Sequence, residues 1–176
     1  MPIDTKQLIE LIIQPTLKGL NLYSPAAEQL IACTCAQESG MGTYLQQIYQ
    51  GAPVALINPP GRGIFQMEIN THDDIYRNFL SMHWDIICKI YKCCAMPMYN
   101  MGVIPDDSIL IYNLKYATAM CRVHYLRVKE PLPAFNDIDG MWAYYKQYYN
   151  TAKGAATKDQ FLTNYAKYVQ LYYQEK

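Results

Sequence analysis

The sequence lacks several features that would place it at once in a familiar class. No apolar run approaches the roughly 20 residues that a membrane-spanning helix needs, so we predict no stable membrane insertion. Neither sign of charge is in excess, because 15 Lys and Arg balance 15 Asp and Glu. This balance argues against nucleic-acid binding through a broad basic surface. The first six residues lack the positively charged segment of a secretory signal. We therefore expect the protein to stay where it is made unless other machinery exports it.

The spacings typical of metal sites are missing as well. The cysteines occur as C-x-C and C-C pairs rather than C-x2-C, and the histidines have no H-x3-H spacing. We predict no metal site and no cofactor. Most cysteines have apolar neighbours, where a reduced thiol behaves as a small hydrophobic group. The cysteines are Cys33, Cys35, Cys88, Cys93, Cys94 and Cys121, and the histidines are His72, His83 and His124.

The pattern that is present is helical. A chain of 176 residues fits one domain, and 51% hydrophobic residues are enough to build its core. One helix start is explicit, since Ser24 and Pro25 supply an N-cap and a first helical residue, and Gly40 ends that helix. Residues 40–66 are rich in Gly and Pro and predict a small hairpin or an irregular loop. We expect a single all-α domain, 1–176, of about seven helices.

Glu38 is the residue whose position suggests chemistry. It lies at the C-terminal end of an apolar helix, against the negative end of the helix dipole. Burial and the dipole both disfavour a carboxylate there, so we expect a raised pKa. A carboxylic acid that stays protonated near neutral pH can donate its proton to a glycosidic oxygen. The alternative is an ordinary solvated residue at a helix end.

Three segments resemble, in order and spacing, the motifs of lytic transglycosylases and goose-type lysozymes. They are Ala36-Gln37-Glu38-Ser39-Gly40, Gly63-Ile64-Phe65-Gln66-Met67-Glu68 and Tyr148-Tyr149-Asn150-Thr151. The second segment, with Thr71-His72-Asp73-Asp74 after it, looks like a subgroup found in bacteriophage and prophage proteins. The resemblance spans residues 30–152. Ile64 and Phe65 stand where the family has Leu and Met, and Thr151 stands where it has a small residue.

The resemblance implies a lysozyme-like helical fold that cleaves the β-1,4 bond between MurNAc and GlcNAc in peptidoglycan. Glu38 matches the catalytic acid. The implied glycan-binding residues are Ser39, Gln66, Met67, Tyr149 and Asn150. For the many other tyrosines we keep an ordinary packing role. The implied partners are bacterial glycan strands and, for a virion component, other virion proteins.

A second carboxylate would decide the mechanism. Hydrolysis uses two carboxyl groups, whereas a lytic transglycosylase needs one, because the 6-hydroxyl of MurNAc attacks C1 and forms a 1,6-anhydro sugar. Glu68, Asp73 and Asp74 are the candidates for a second group. Asp73 and Asp74 can also be explained as charges in the first turn of a helix beginning at Thr71.

Three functional hypotheses remain open on the sequence. The first is a phage lysin or a virion-associated lysozyme or transglycosylase, made in the host cytoplasm or carried in the particle, that acts on the cell wall. The second is a non-catalytic virion structural or glycan-binding protein on the same scaffold. The third is an intracellular helical interaction protein whose motif matches arose by chance.

Overall fold

The expected all-α class is confirmed. The computed structural model describes residues 1–46, 60–151 and 154–174, and this part of the chain contains eight helices and one two-stranded sheet. The helices are α1 (5–19, with a π-helical stretch at Leu8–Ile13), α2 (Pro25–Ser39), α3 (Ile69–Asn78), α4 (Trp84–Cys93), α5 (Ile109–Tyr112), α6 (Leu114–Leu126), α7 (138–150, α-helical at Ile138–Tyr145 and π-helical at Lys146–Asn150) and α8 (158–174, π-helical at Tyr165–Val169). Short 3-10 turns lie at Leu80–Met82 and Met98–Asn100. None of these helices has the length and apolar character required to cross a bilayer.

Helix α2 is the central element of the domain. Its start is as predicted, because the Ser24 hydroxyl accepts a hydrogen bond from the Ala27 N–H and Pro25 is the first helical residue. It ends at Gly40, which has a left-handed backbone with φ of 56°. Eleven of its fifteen residues are buried, because it packs against α1, α6, α7 and α8. Glu38 is therefore carried by the most enclosed helix.

Two helix boundaries differ from the sequence prediction. Helix α3 begins at Ile69 rather than Thr71, because strand β2 leads directly into it and Glu68 occupies the N-cap position. Asp73 and Asp74 consequently lie beyond the first turn, which contains no acidic residue, and our first-turn explanation of them is wrong. The helical spacing of apolar residues such as Leu110, Leu114 and Cys121 also predicts one helix from about 108 to 128. The extended backbone of Asn113 divides it into α5 and α6.

A short hairpin follows the Gly- and Pro-rich segment. Strands β1 (Gly61–Arg62) and β2 (Met67–Glu68) pair antiparallel. The predicted loop or hairpin over 40–66 is thus in part a hairpin, and its portion 47–59 lies outside the described residues. Gly63 has φ of +67°, and a Cβ placed on it would lie 1.9 Å from the Leu110 carbonyl oxygen. Only glycine fits there, which allows the hairpin to press against α5.

The cysteines are all free thiols, as predicted. Four of them are buried, whereas Cys88 and Cys93 are half-buried. Burial raises the pKa of the Cys35 thiol to about 12. A thiol of that pKa is almost entirely uncharged near neutral pH, so Cys35 is a poor nucleophile.

Candidate active site

A cleft opens where the end of α2, the hairpin and α7 meet. It consists of two adjoining lobes of about 530 and 230 Å³. Four residues line both lobes: Glu38, Gln66, Glu68 and Asn150. The larger lobe continues along 154–156 and Gln160 at the start of α8, and the smaller one continues along Thr71, His124 and Tyr149. Three segments that are distant in sequence therefore contribute to one surface.

Glu38 is half-buried at the junction of the lobes. Burial is the main reason that its pKa is raised from 4.5 to about 7, and the negative charge of Glu68 adds to the rise. The Tyr145 hydroxyl opposes it by donating a 2.6 Å hydrogen bond to Glu38 Oε1, which favours the charged form. Near neutral pH a large share of the Glu38 side chains therefore carry a proton that they can donate.

Tyr145 is a site residue that the sequence analysis missed, since we had assigned it to packing. Its ring is buried and stacks on the Tyr149 ring, with centroids 6.0 Å apart and planes inclined by 20°. Its hydroxyl reaches the cleft, so it packs in the core and also contacts Glu38. The available signal was its spacing, because Tyr145 precedes Tyr149 by four residues and shares its helical face.

Tyr149 has a different role from that of Tyr145. Its hydroxyl donates to the Phe65 carbonyl oxygen at 2.8 Å and so ties α7 to the hairpin. Its ring lines the smaller lobe, where it meets the edge of His124 with centroids 5.0 Å apart. Tyr149 thus lines the smaller lobe, but the hydroxyl beside the carboxyl of Glu38 belongs to Tyr145.

Gln66 and Met67 form the wall opposite α7. Gln66 has a left-handed backbone with φ of +46°, and its side-chain Nε2 donates to the Gly63 carbonyl oxygen at 2.8 Å. Because a carbonyl can only accept, the atom that bonds to it must be Nε2, and the amide keeps the oxygen Oε1 and its second N–H for other partners. Met67 is only 3% exposed and presents an edge to the smaller lobe.

Ser39 does not line the cleft, which corrects our expectation that it binds glycan. It is 1% exposed, and its hydroxyl donates to the Ile64 carbonyl oxygen at 2.6 Å while accepting from the Gly42 N–H at 2.8 Å. These bonds connect the end of α2 to the hairpin. Ser39 therefore holds Glu38 and the opposite wall in register and has no free group for a ligand.

The candidates for a second carboxylate are separated by the fold. Glu68 is exposed and lines both lobes, facing the same space as Glu38. Asp73 lies outside the cleft lining, with Oδ1 3.3 Å from His72 Nδ1 and Oδ2 3.6 Å from an Arg77 nitrogen. Asp74 is also absent from the lining of both lobes and forms an ion pair with Arg127, so Glu68 is the candidate that lines the cleft.

His124 is neutral in the smaller lobe. An Arg127 guanidinium nitrogen lies 2.8 Å from Nδ1, and because guanidinium only donates, Nδ1 must accept. The proton is then on Nε2, which donates to the Tyr148 carbonyl oxygen at 2.9 Å. Burial, with the charge of Arg127, lowers the pKa of His124 to about 4. His124 thus shapes the cleft without contributing charge.

The described residues contain no group of three or more side chains able to hold a metal ion. Comparisons with protein-family models, with curated proteins and with solved structures found no match for this chain.

Proposed function

We propose that this protein is a peptidoglycan-cleaving glycosidase that acts on the β-1,4 bond between MurNAc and GlcNAc with Glu38 as its general acid. One observation carries the proposal. Glu38, the segment around Gln66 and the segment around Asn150, up to 112 residues apart in the chain, line one cleft. These are the segments whose resemblance to lytic transglycosylases and goose-type lysozymes suggested the activity.

The chemistry asked of Glu38 follows from its surroundings. The protonated carboxyl donates its proton to the glycosidic oxygen as the bond from that oxygen to C1 breaks. The resulting carboxylate keeps the hydrogen bond from Tyr145, which stabilises it without a protein rearrangement. It can then accept the proton of the nucleophile that attacks C1, either a water molecule or the 6-hydroxyl of the same MurNAc.

Of these two routes, hydrolysis can be tested through Glu68. It lines the cleft with Glu38, is exposed to solvent and makes no side-chain capping bond to α3. A carboxylate in that place can orient a water molecule and take its proton, which the intramolecular route does not need.

The experiment is mass spectrometry of the muropeptides that purified protein releases from sacculi. Glu38→Gln keeps an acceptor for Tyr145 but has no acidic proton, and Glu10→Gln, at an exposed position of α1, is the matched control. We expect products from the wild type and from Glu10→Gln, and none from Glu38→Gln. Glu68→Gln is compared in the same assay.

The products separate the mechanisms. Reducing-end sugars indicate hydrolysis, whereas products lighter by one water molecule indicate the anhydro route and leave Glu68 without a chemical step. Equal activity of Glu38→Gln and wild type would refute the site. Binding to sacculi without any product would support the non-catalytic glycan-binding alternative, and neither binding nor cleavage would support an unrelated interaction protein.

The biological setting belongs to the same proposal. A wall-cleaving enzyme of phage origin can meet peptidoglycan either from the host cytoplasm, once the membrane is opened, or from the virion. Assaying purified particles and lysates for the chain would distinguish these two sources.

A further inference from the structure

Two neighbouring thiols meet at the end of α4, outside the cleft. Cys93 is the last residue of that helix and Cys94 follows it, and their sulfur atoms are 3.6 Å apart. Side chains of consecutive residues in a helix do not face each other. These two do, because the chain leaves the helix at Cys94, whose backbone has φ of −95° and ψ of 6°. Neither residue lines a lobe of the cleft.

The two thiols differ in their access to solvent. Cys93 is half-buried, whereas Cys94 is only 3% exposed. The Cβ of Cys93 packs against α1, because a Cβ placed on Gly19 would lie 2.8 Å from it. The carbonyl oxygen of Cys94 accepts from Asn113 Nδ2 at 3.0 Å. A dissolved reagent can therefore reach Cys93 but not Cys94, and both residues are held in place by their neighbours.

The hydrogen bonds of the pair make Cys93 the more reactive thiol. Its thiol donates to the Ile90 carbonyl oxygen at 3.6 Å, so the hydrogen between the two sulfur atoms belongs to Cys94. The hydrogen bond from Cys94 lowers the pKa of Cys93 against the rise caused by burial, and the positive charge of Lys115 lowers it further. The same hydrogen bond and burial raise the pKa of Cys94. Since the thiolate is the nucleophilic form, Cys93 is the attacking thiol of the pair.

We propose that Cys93 and Cys94 form a thiol–disulfide exchange site that a small disulfide, such as glutathione disulfide, oxidises in two steps. The Cys93 thiolate attacks one sulfur of the reagent, which forms a mixed disulfide and releases one thiolate. Cys94, 3.6 Å away, then loses its proton and attacks the Cys93 sulfur, which releases the second thiolate and closes a bond between Cys93 and Cys94. The pair loses two electrons, and the reagent is reduced to two thiols that take up the two protons.

The bond between Cys93 and Cys94 should be readily reduced again. Consecutive Cα atoms are about 3.8 Å apart, whereas those of most disulfides are ~4.4–6.8 Å apart. The sulfur atoms must also approach from 3.6 Å to about 2.05 Å while Asn113 holds the Cys94 carbonyl. Strained disulfides are the labile ones. The site is therefore suited to reversible modification, and it does not depend on the activity proposed for the cleft.

The test is mass spectrometry of tryptic peptides after the folded protein is treated with excess glutathione disulfide and its remaining thiols are alkylated. Cleavage after Lys92 and Lys115 gives the peptide 93–115, whose cysteines are this pair alone. A disulfide reagent is preferred to a peroxide, because the same peptide contains three methionines that a peroxide would oxidise. Cys88 is the matched control, because it is also half-buried but its sulfur lies 3.6 Å from the Met101 sulfur rather than beside a thiol.

We expect the wild-type peptide 93–115 to lose two hydrogen atoms and to regain them when dithiothreitol is added, whereas Cys88 gains only glutathione. Cys94→Ser should stop at the mixed disulfide, with glutathione on Cys93. Cys93→Ser should leave Cys94 unmodified in the folded protein, because the reagent cannot reach a thiol that is 3% exposed. Cys88→Ser should close the Cys93–Cys94 bond at the wild-type rate.

Two results would overturn the proposal. One is a wild-type peptide 93–115 that keeps both thiols or retains glutathione without closing the bond. The other is glutathione on Cys94 in Cys93→Ser at the rate of wild-type closure, which would contradict the order of attack. The first result is obtained on the unaltered protein, so it decides even if a serine variant fails to fold.

Discussion

Replacing Tyr145 by phenylalanine removes a single hydroxyl from the site and should raise the pKa of Glu38. The hydroxyl donates to Glu38 Oε1 at 2.6 Å and so stabilises the charged form. Hydrogen bonds to charged groups contribute about 1.5–3 kcal/mol. Water entering the cleft would replace part of this bond, so we use the lower limit, which corresponds to about one pH unit.

The assay is the initial rate of solubilisation of labelled peptidoglycan as a function of pH. The proposed mechanism needs Glu38 protonated, so the activity it predicts should fall as pH rises through the pKa of about 7. In Tyr145→Phe the high-pH limb of the activity profile should move to higher pH by about one unit, because Glu38 keeps its proton up to a higher pH. Tyr144→Phe is the matched control, since the Tyr144 hydroxyl donates to the Glu130 carbonyl oxygen. A limb that stays in place or moves to lower pH would refute the role given to Tyr145.

Three further predictions concern stability. Because folding raises the pKa of Glu38 from 4.5 to about 7, the free energy of unfolding of the wild type falls as pH rises from 4.5 to 7. Glu38→Gln has no such charge, so it should be more stable than the wild type by about 3 kcal/mol above pH 7 and equally stable below pH 4.5. Urea titrations at several pH values measure this, and a constant difference would contradict it. Ser39→Ala leaves the Ile64 carbonyl and the Gly42 N–H without their partner and should cost about 2 kcal/mol in the same titrations; an unchanged stability would contradict it. Thr151 has φ of 68° and ψ of 163°, a region that favours glycine. Thr151→Gly should therefore raise the free energy of unfolding by about 1 kcal/mol, whereas Thr151→Ala should not.

The elements that the sequence predicted well are those set by local rules. Ser24, Pro25 and Gly40 define α2 through capping and backbone preference. Thr157 followed three residues later by Gln160 is a spacing that predicts a capping box, and that capping box is present at the start of α8. Glu38 could be singled out because its position at a helix end is a local property. The elements that differ are those in which a neighbour intervenes, such as α3, which begins early because β2 runs into it.

The sequence by itself determined an all-α domain, a helix ending beside Glu38 and a set of separated polar segments. Only the tertiary structure decided which residues of those segments share the cleft. Ser39 turns inward to hold the hairpin, Asp73 pairs elsewhere, and Tyr145 reaches the carboxyl. The physical reason is that helical spacing gives the face on which a side chain lies, whereas its hydrogen-bond partner depends on segments that pack against that face from far along the chain.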